Sequence, residues 1–230
     1  MAPNDPILMR TDQLIEELST GLTPVRALRA PALRALLWLT AVAVVGIVGI
    51  ARFSQLPLIL PRLADPRVTV ECVATALTAV TAILAAFELS LPDRSARWAW
   101  LPLPSLLVWL GASGLGCLRN GLSLHEPEGF MGHSPHCFLF ITGVSVPLAV
   151  ALFWMLRKAR PMDALPVAAT GTLGVAATAA LVLQFFHPFD VTVIDLALHV
   201  AAIGIVMLIG SLWRRALLDA SPSRFANEND

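Results

Sequence analysis

The feature that most limits the fold of this chain is a series of six long apolar blocks separated by short polar segments. Each block has the roughly 20 mostly apolar residues that a helix needs to cross a bilayer. Inside a bilayer the backbone must satisfy its own hydrogen bonds, and a helix does this within each block. The sequence therefore predicts an all-α polytopic membrane protein, a bundle of six transmembrane helices. The blocks are 33–53, 68–91, 98–117, 137–156, 164–186 and 193–213.

The charge distribution predicts how the bundle is oriented. Charged residues make up 14% of the chain, against about 25% in an average soluble domain. With a cytoplasmic N-terminus, twelve of the 16 Lys and Arg residues fall in inside segments and four fall in outside loops. Because cytoplasmic segments are enriched in Lys and Arg, this asymmetry predicts that both termini are cytoplasmic.

The three longest segments outside the predicted spans are short. They are a cytoplasmic tail at 1–32 with a short amphipathic helix, an outer loop at 118–136 and a cytoplasmic C-terminal tail at 214–230, around a bundle at 33–213. Segments shorter than about 40 residues do not bury a sufficient core alone. We therefore expect no separate catalytic domain within these residues, and we expect the function to lie in the bundle, on its outer rim or in the N-terminal tail.

The N-terminal tail contains a segment with the pattern of a short amphipathic helix, "RTDQLIEELSTGLTPV" at 10–25. Thr11 or Asp12 can cap its start, and Gly21 with Pro24 ends it. The apolar residues recur at helical spacing and share one face. Acidic residues make the segment negatively charged, whereas a membrane-surface helix usually has a basic polar face.

An isolated helix of about ten residues is marginal in water, so this segment is predicted to fold against a partner protein. Its apolar face would enter a groove, and its carboxylates would meet a basic edge. The alternative is a leader that frays or folds back on the inner loops. The residues predicted to bind the partner are Leu14, Ile15, Glu16, Glu17, Leu18 and Leu22.

Thiols and imidazoles are concentrated near the predicted outer face. Cys117 ends the third block, and the stretch "GHSPHC" opens the fourth block with His133, His136 and Cys137. A thiol beside an imidazole is more easily ionised, and both groups are good ligands for soft metals. These four residues are predicted to form a redox-sensing or metal-sensing site, with His125 as a further candidate.

Several alternatives remain open for these side chains. The imidazoles can anchor the helix at the level of the lipid headgroups, with the thiols as small packing residues. The spacing His-x-x-His-Cys does not match the separated ligand pairs of zinc fingers. Cys117 and Cys137 could form a disulfide across the loop. Cys72, one turn inside the second block, is either a secondary sensing residue or a small buried apolar residue.

The sixth block begins with a second polar cluster, in "FHPFDVTVIDLALH" at 186–199. Asp195 and His199 are four residues apart and share a helix face. Ionisable groups at this depth usually face a bundle interior or water. With His187 and Asp190, they form either an intramembrane polar relay or a hydrogen-bonded lock between helices.

Over about residues 10–215 the chain resembles the NrsF-type family of bacterial inner-membrane anti-sigma factors. The motifs that carry this resemblance are "TDQLIEELS", "PALRALLWL", "RLADP", "LPLPSLLVWL", "SGLGCLRNG", "GHSPHCFLF", "RKARP" and "FHPFDVTVIDLALH". The resemblance implies a six-span inner-membrane protein that is not an enzyme and makes no direct contact with nucleic acid. Such a protein holds an extracytoplasmic-function sigma factor inactive and releases it on oxidative or heavy-metal stress.

The resemblance also implies roles for particular residues. Cys117 and Cys137 would be the sensor thiols, and the tail at 10–29 would bind the sigma factor. No obligatory cofactor is expected, only transient heavy-metal binding or a disulfide between Cys117 and Cys137. The alternative function is a membrane thiol oxidoreductase or a small transporter. An oxidoreductase usually has a Cys-x-x-Cys pair, which this chain lacks. A transporter needs broken helices at mid-membrane. The candidate positions for such breaks are Pro102, Pro104 and Pro147.

Overall fold

The structure, a computed structural model, describes residues 6–20, 22, 28–54, 56–119 and 134–186, and within the last predicted span residues 201, 204, 205, 208, 209 and 212. These residues form helices and turns and no strand, which confirms the all-helical prediction for the described part of the chain. The α-helices are α1 (Pro6–Thr20), α2 (Pro31–Phe53), α3 (Leu56–Ile59), α4 (Pro66–Leu89), α5 (Leu103–Arg119), α6 (Ser134–Leu156) and α7 (Ala164–Gln184). Short 3-10 helices at Leu60–Ala64, Ala96–Trp100 and Arg157–Ala159 lie between them.

Four described segments are long and apolar enough to cross a membrane: Pro31–Phe53, Pro66–Leu89, Ala96–Leu115 and Ala164–Gln184. They coincide with the first, second, third and fifth predicted spans to within a few residues. The fourth predicted span, 137–156, lies within the 23-residue helix α6. The sixth, 193–213, lies largely outside the described residues, and its six described residues are helical.

Prolines and acidic caps define where the long helices begin. Pro31 and Pro66 stand in the first turns of α2 and α4, where a missing N–H costs nothing. Asp65 caps α4 by accepting a hydrogen bond from the Arg67 N–H, and Asp163 caps α7 in the same way through Leu165. Such side-chain acceptors satisfy backbone donors that have no partner inside the helix.

Helix α4 is the centre of the bundle and packs against α7, α5 and α2. Its closest neighbour is α7, in which every residue of 171–180 is buried. Small residues make this approach possible: a Cβ atom added to Gly174 would lie 2.7 Å from Ile83 Cδ1 and 3.1 Å from the Ile83 backbone nitrogen. Threonines in both helices return their hydroxyl hydrogen bonds to carbonyls of their own helix, as Thr78 and Thr172 do.

The main apolar core lies toward one end of the bundle. It joins the start of α2, the end of α4, the end of α6 and the start of α7, through residues that include Trp38, Phe87, Leu156 and Val167. We call this the tail end, because the tail helix α1 precedes α2 there. The opposite end is defined by Glu71 in α4, Ser113 in α5 and Gln184 in α7, which meet in side-chain contacts described below.

Candidate functional site

The described side chains of the tail helix α1 are exposed to solvent. Every described side chain from Gln13 to Thr20 is exposed, with Leu14, Ile15 and Leu18 between 54% and 65% accessible. Glu16 and Glu17 are exposed as well and form no ion pair with any other described residue. An apolar surface of this kind on a short helix is available to a partner.

Two boundaries of α1 differ from the sequence-based prediction. The helix begins at Pro6 rather than at residue 11 or 12, because proline is well suited to a first helical turn. It ends at Thr20, so Leu22, which was predicted on the apolar face, lies beyond the helix and is 77% exposed. The hydroxyls of Ser19 and Thr20 donate to the carbonyls of Glu16 and Glu17 and so satisfy the last turn before Gly21.

At the tail end, the side chain of Arg34 is buried in the first turn of α2 and only 6% exposed. Its Nη2 donates to the backbone carbonyl of Met155 at the end of α6. The guanidinium carbon stands 4.9 Å from the centre of the Phe87 ring at the end of α4, a cation–π contact. Arg34 therefore connects three helices directly after the tail.

A second arginine of the tail end, Arg94, forms an ion pair. Glu88, almost fully buried, has its Oε2 3.2 Å from Nε of the half-exposed Arg94. This is an ion pair without the alignment of a hydrogen bond, since Oε2 has no hydrogen-bond donor among the described residues. On the α6 side, Lys158 Nζ lies 3.8 Å above the ring of Trp154. The positive charges of the tail end thus have different kinds of partner. Arg34 contacts a ring face and a carbonyl, Lys158 a ring face and Arg94 a carboxylate.

At the opposite end, two hydrogen bonds hold the first turns of α4 to its neighbours. The Ser113 hydroxyl of α5 donates to Oε1 of Glu71 at 2.7 Å. The thiol of Cys72 lies 2.7 Å from Oε1 of Gln184 in α7. Cys72 is half-buried and forms no disulfide. Adjacent residues of α4 are therefore fixed to α5 and to α7.

The predicted sensing residues fall mostly outside the described residues. Cys117 belongs to the last turn of α5, and His136 and Cys137 to the first turn of α6, but their side chains lie outside what the structure describes. His125 and His133 in the loop, and His187, Asp190, Asp195 and His199 of the predicted relay, lie outside it entirely. Among the residues that are described, no group of three or more His, Cys, Asp or Glu is arranged to hold a metal ion.

The sequence reasoning missed the partners of the charged residues at the span ends. Arg34, Glu71 and Glu88 lie near the limits of the apolar blocks 33–53 and 68–91, and their spacing assigns them no contacts. The signal available was their position, because an ionisable group within a span normally faces other helices. Gln184 and Ser113 carry no comparable signal, since a single amide or hydroxyl in an apolar block is compatible with either orientation.

Residues 18–219 of the chain match the family described as NrsF, negative regulator of sigma F. The match includes all the long helices and the last part of α1. No curated protein and no solved structure matches the chain.

Proposed function

Because the chain belongs to the NrsF family of negative regulators of sigma F, we propose that it holds an extracytoplasmic-function sigma factor inactive at the bacterial inner membrane. The α1 helix is the element that binds the sigma factor. Oxidative or heavy-metal stress, sensed by periplasm-facing cysteines, releases it. The observation that carries this proposal is the exposed apolar face of α1, preceding a bundle with four helices suited to a membrane.

The energetics of α1 favour folding against a protein groove. Leu14, Ile15 and Leu18 are more than half exposed in the chain alone, and burying such a side chain contributes about 1.5–3 kcal/mol. A helix of this length is marginal in water without a partner. A groove that covers the three side chains therefore supplies the free energy that keeps α1 helical, in the manner of other helix-in-groove complexes.

The acidic residues of α1 indicate the chemistry of the groove edge. Glu16 and Glu17 are exposed and lie beside the apolar residues. A sigma factor binds DNA and has basic surfaces for the phosphate backbone. Carboxylates on α1 can pair with such a surface, so that binding to the anti-sigma factor and binding to DNA compete for the same positive charges.

The first test is binding of the full-length protein, in lipid nanodiscs, to the extracytoplasmic-function sigma factors of the same genome. Leu14→Ala combined with Leu18→Ala removes two anchors of the apolar face, and we expect Kd to rise at least tenfold, about 1.4 kcal/mol. The matched control is Leu36→Ala with Leu37→Ala, two similarly exposed leucines of α2. If the wild-type protein retains no sigma factor, the proposed function is wrong. If the control pair weakens binding as much as the α1 pair, the assignment to α1 is wrong.

A further inference from the structure

The contacts of Arg34 place one side chain at the junction between the bundle and the tail. We propose that Arg34 is a positioning residue through which α6 sets the position of α1. This inference rests on the proposed function, in which α1 holds the sigma factor. Arg34 stands in the first turn of α2, and only residues 21–30 separate α2 from α1. A displacement of this turn therefore moves the base of the tail.

Helix α6 reaches from the opposite end of the bundle to Arg34. It contains 23 residues, Ser134–Leu156, and at 1.5 Å per residue it is about 34 Å long. Cys137 is in its first turn, and the carbonyl of Met155, which accepts the hydrogen bond from Arg34, is in its last turn. One continuous helix thus connects a predicted sensor position with the base of the tail.

Pro147 makes α6 able to change its bend. Proline in a helix interior removes one backbone hydrogen bond and kinks the helix. The hydroxyls of Thr142 and Ser145, five and two residues before Pro147, are buried and have no hydrogen-bond partner among the described residues. The threonines of α4 and α7 instead bond to their own helices. The stretch from Pro147 to Met155 is about 12 Å long, so a 20° change in the kink moves the Met155 carbonyl by about 4 Å.

The guanidinium of Arg34 is suited to follow such a movement. It is buried, and it has no carboxylate partner within the described chain, only the Met155 carbonyl and the Phe87 ring. Its Nη1 atom has no hydrogen-bond partner among the described residues and remains available for a second carbonyl. Leaving a buried charge without any partner is strongly unfavourable. When the end of α6 moves, the guanidinium therefore keeps its acceptor, and the first turn of α2 is displaced with it.

The test measures the distance between α1 and the bundle in the full-length protein in nanodiscs, with and without a change in the α6 kink. The labels are attached to non-natural amino acids at positions 19 and 97, both exposed. The native cysteines therefore do not have to be replaced. Pro147→Ala straightens α6, and we expect the mean distance between the labels to shift by about 4 Å. In the Arg34→Met background the same substitution is expected to produce no shift beyond the measurement error.

Three further variants make the result specific. Arg29→Met removes an exposed arginine of the linker and should leave the shift caused by Pro147→Ala intact. Arg34→Lys keeps the charge and should restore part of the shift. Phe87→Leu removes the ring and keeps the Met155 contact, so the shift should be reduced but not abolished. If Arg34→Met lowers the melting temperature too far for the distance to be measured, the shifts in the Phe87→Leu and Arg34→Lys backgrounds test the inference. A shift equal to that of the wild type in both backgrounds then contradicts it.

A shift that persists unchanged in the Arg34→Met background overturns the inference, and so does the absence of any shift in Pro147→Ala alone. A purely structural role for Arg34 would change the melting temperature and leave the response to Pro147→Ala as it is in the wild type. Sigma-factor binding is measured separately on the same samples. A protein that shows the Arg34-dependent shift but does not bind the sigma factor contradicts the proposed function and supports the inference.

Discussion

At the scale of single residues, the three cysteines occupy different settings. Cys72 is inside the bundle, half-buried, with its sulfur against the amide oxygen of Gln184. Cys117 belongs to the last turn of α5 and Cys137 to the first turn of α6, the two helices that precede and follow residues 120–133. A thiol packed between helices, as Cys72 is, is poorly placed to meet an oxidant or a metal ion. The proposed sensor pair is therefore Cys117 and Cys137.

This difference predicts the result of replacing each thiol. Cys117→Ser and Cys137→Ser should each reduce the induction of a sigma-dependent reporter by oxidant or heavy metal to less than about one third of the wild-type response, since a serine neither ionises at neutral pH nor binds soft metals well. Cys72→Ser keeps a hydroxyl donor for Gln184 and serves as the matched control, with an expected response close to that of the wild type. Full induction in the double variant of Cys117 and Cys137 would exclude both thiols as sensors.

Individual contacts were the part of the site that the sequence could not predict. The position of Arg34 inside the first apolar block indicates that it faces other helices, but not that it reaches the last carbonyl of α6 and the Phe87 ring. Likewise nothing in the spacing pairs Glu71 with Ser113, which are separated by 42 positions. Such pairings depend on how far each helix rotates about its axis and which neighbour it meets, and both are decided by packing across the bundle.

At the scale of helices, the sequence is far more informative. The apolar blocks predicted the long helices to within a few residues, because a bilayer imposes the length and the prolines and acidic caps impose the ends. The ends of helix α1 were not predicted correctly by the same reasoning. Its start at Pro6 and the exclusion of Leu22 depend on the helix termini, which are the least certain feature of a short amphipathic pattern.

The close approach of α4 and α7 makes a prediction for Gly174. Gly174→Ala places a methyl group against the side chain and backbone of Ile83, and we expect this to lower the free energy of unfolding by about 1–3 kcal/mol, as overpacking does. The measurement is reversible unfolding in mixed detergent micelles. In an Ile83→Ala background the cost should fall by about half or more, because most of the clash is with the Ile83 side chain.

Two glycines provide the control for this prediction. An added Cβ at Gly49 in α2 or at Gly111 in α5 meets no atom within 4 Å. Alanine at these positions should therefore leave the protein as stable as the wild type, since alanine is the better helix former. Equal losses at Gly49, Gly111 and Gly174 would mean that backbone flexibility, rather than the contact between α4 and α7, determines the effect.

At the scale of the whole molecule, the two ends of the bundle have different chemistry. The tail end carries Arg34, Glu88, Arg94 and the basic turn after α6, and α2 begins there after the tail. The opposite end carries the hydrogen bonds of Glu71 and Cys72, and α5 and α6 lead there into the cysteine-flanked loop. The proposed function, in which a cytoplasmic sigma factor responds to a periplasmic signal, requires these two ends on different sides of the membrane. The positive charge near the tail end favours its placement in the cytoplasm.

This orientation is tested by reporter fusions in the full-length chain. A phosphatase active only in the periplasm, inserted after residue 123, should be active, whereas a fluorescent protein that folds only in the cytoplasm should be dark at that position. Inserted after Ser95 in the turn before α5, or after Ser223 in the C-terminal tail, the same reporters should behave in the opposite way. The physical reason is that translocation of basic turns across the membrane is disfavoured. The basic residues of the turns at the tail end are Arg94, Arg97, Arg157, Lys158 and Arg160. If the insertions after residue 123 and after Ser95 report the same compartment, the chain between them crosses the membrane an even number of times. In that case a periplasmic thiol cannot control a cytoplasmic tail through this bundle.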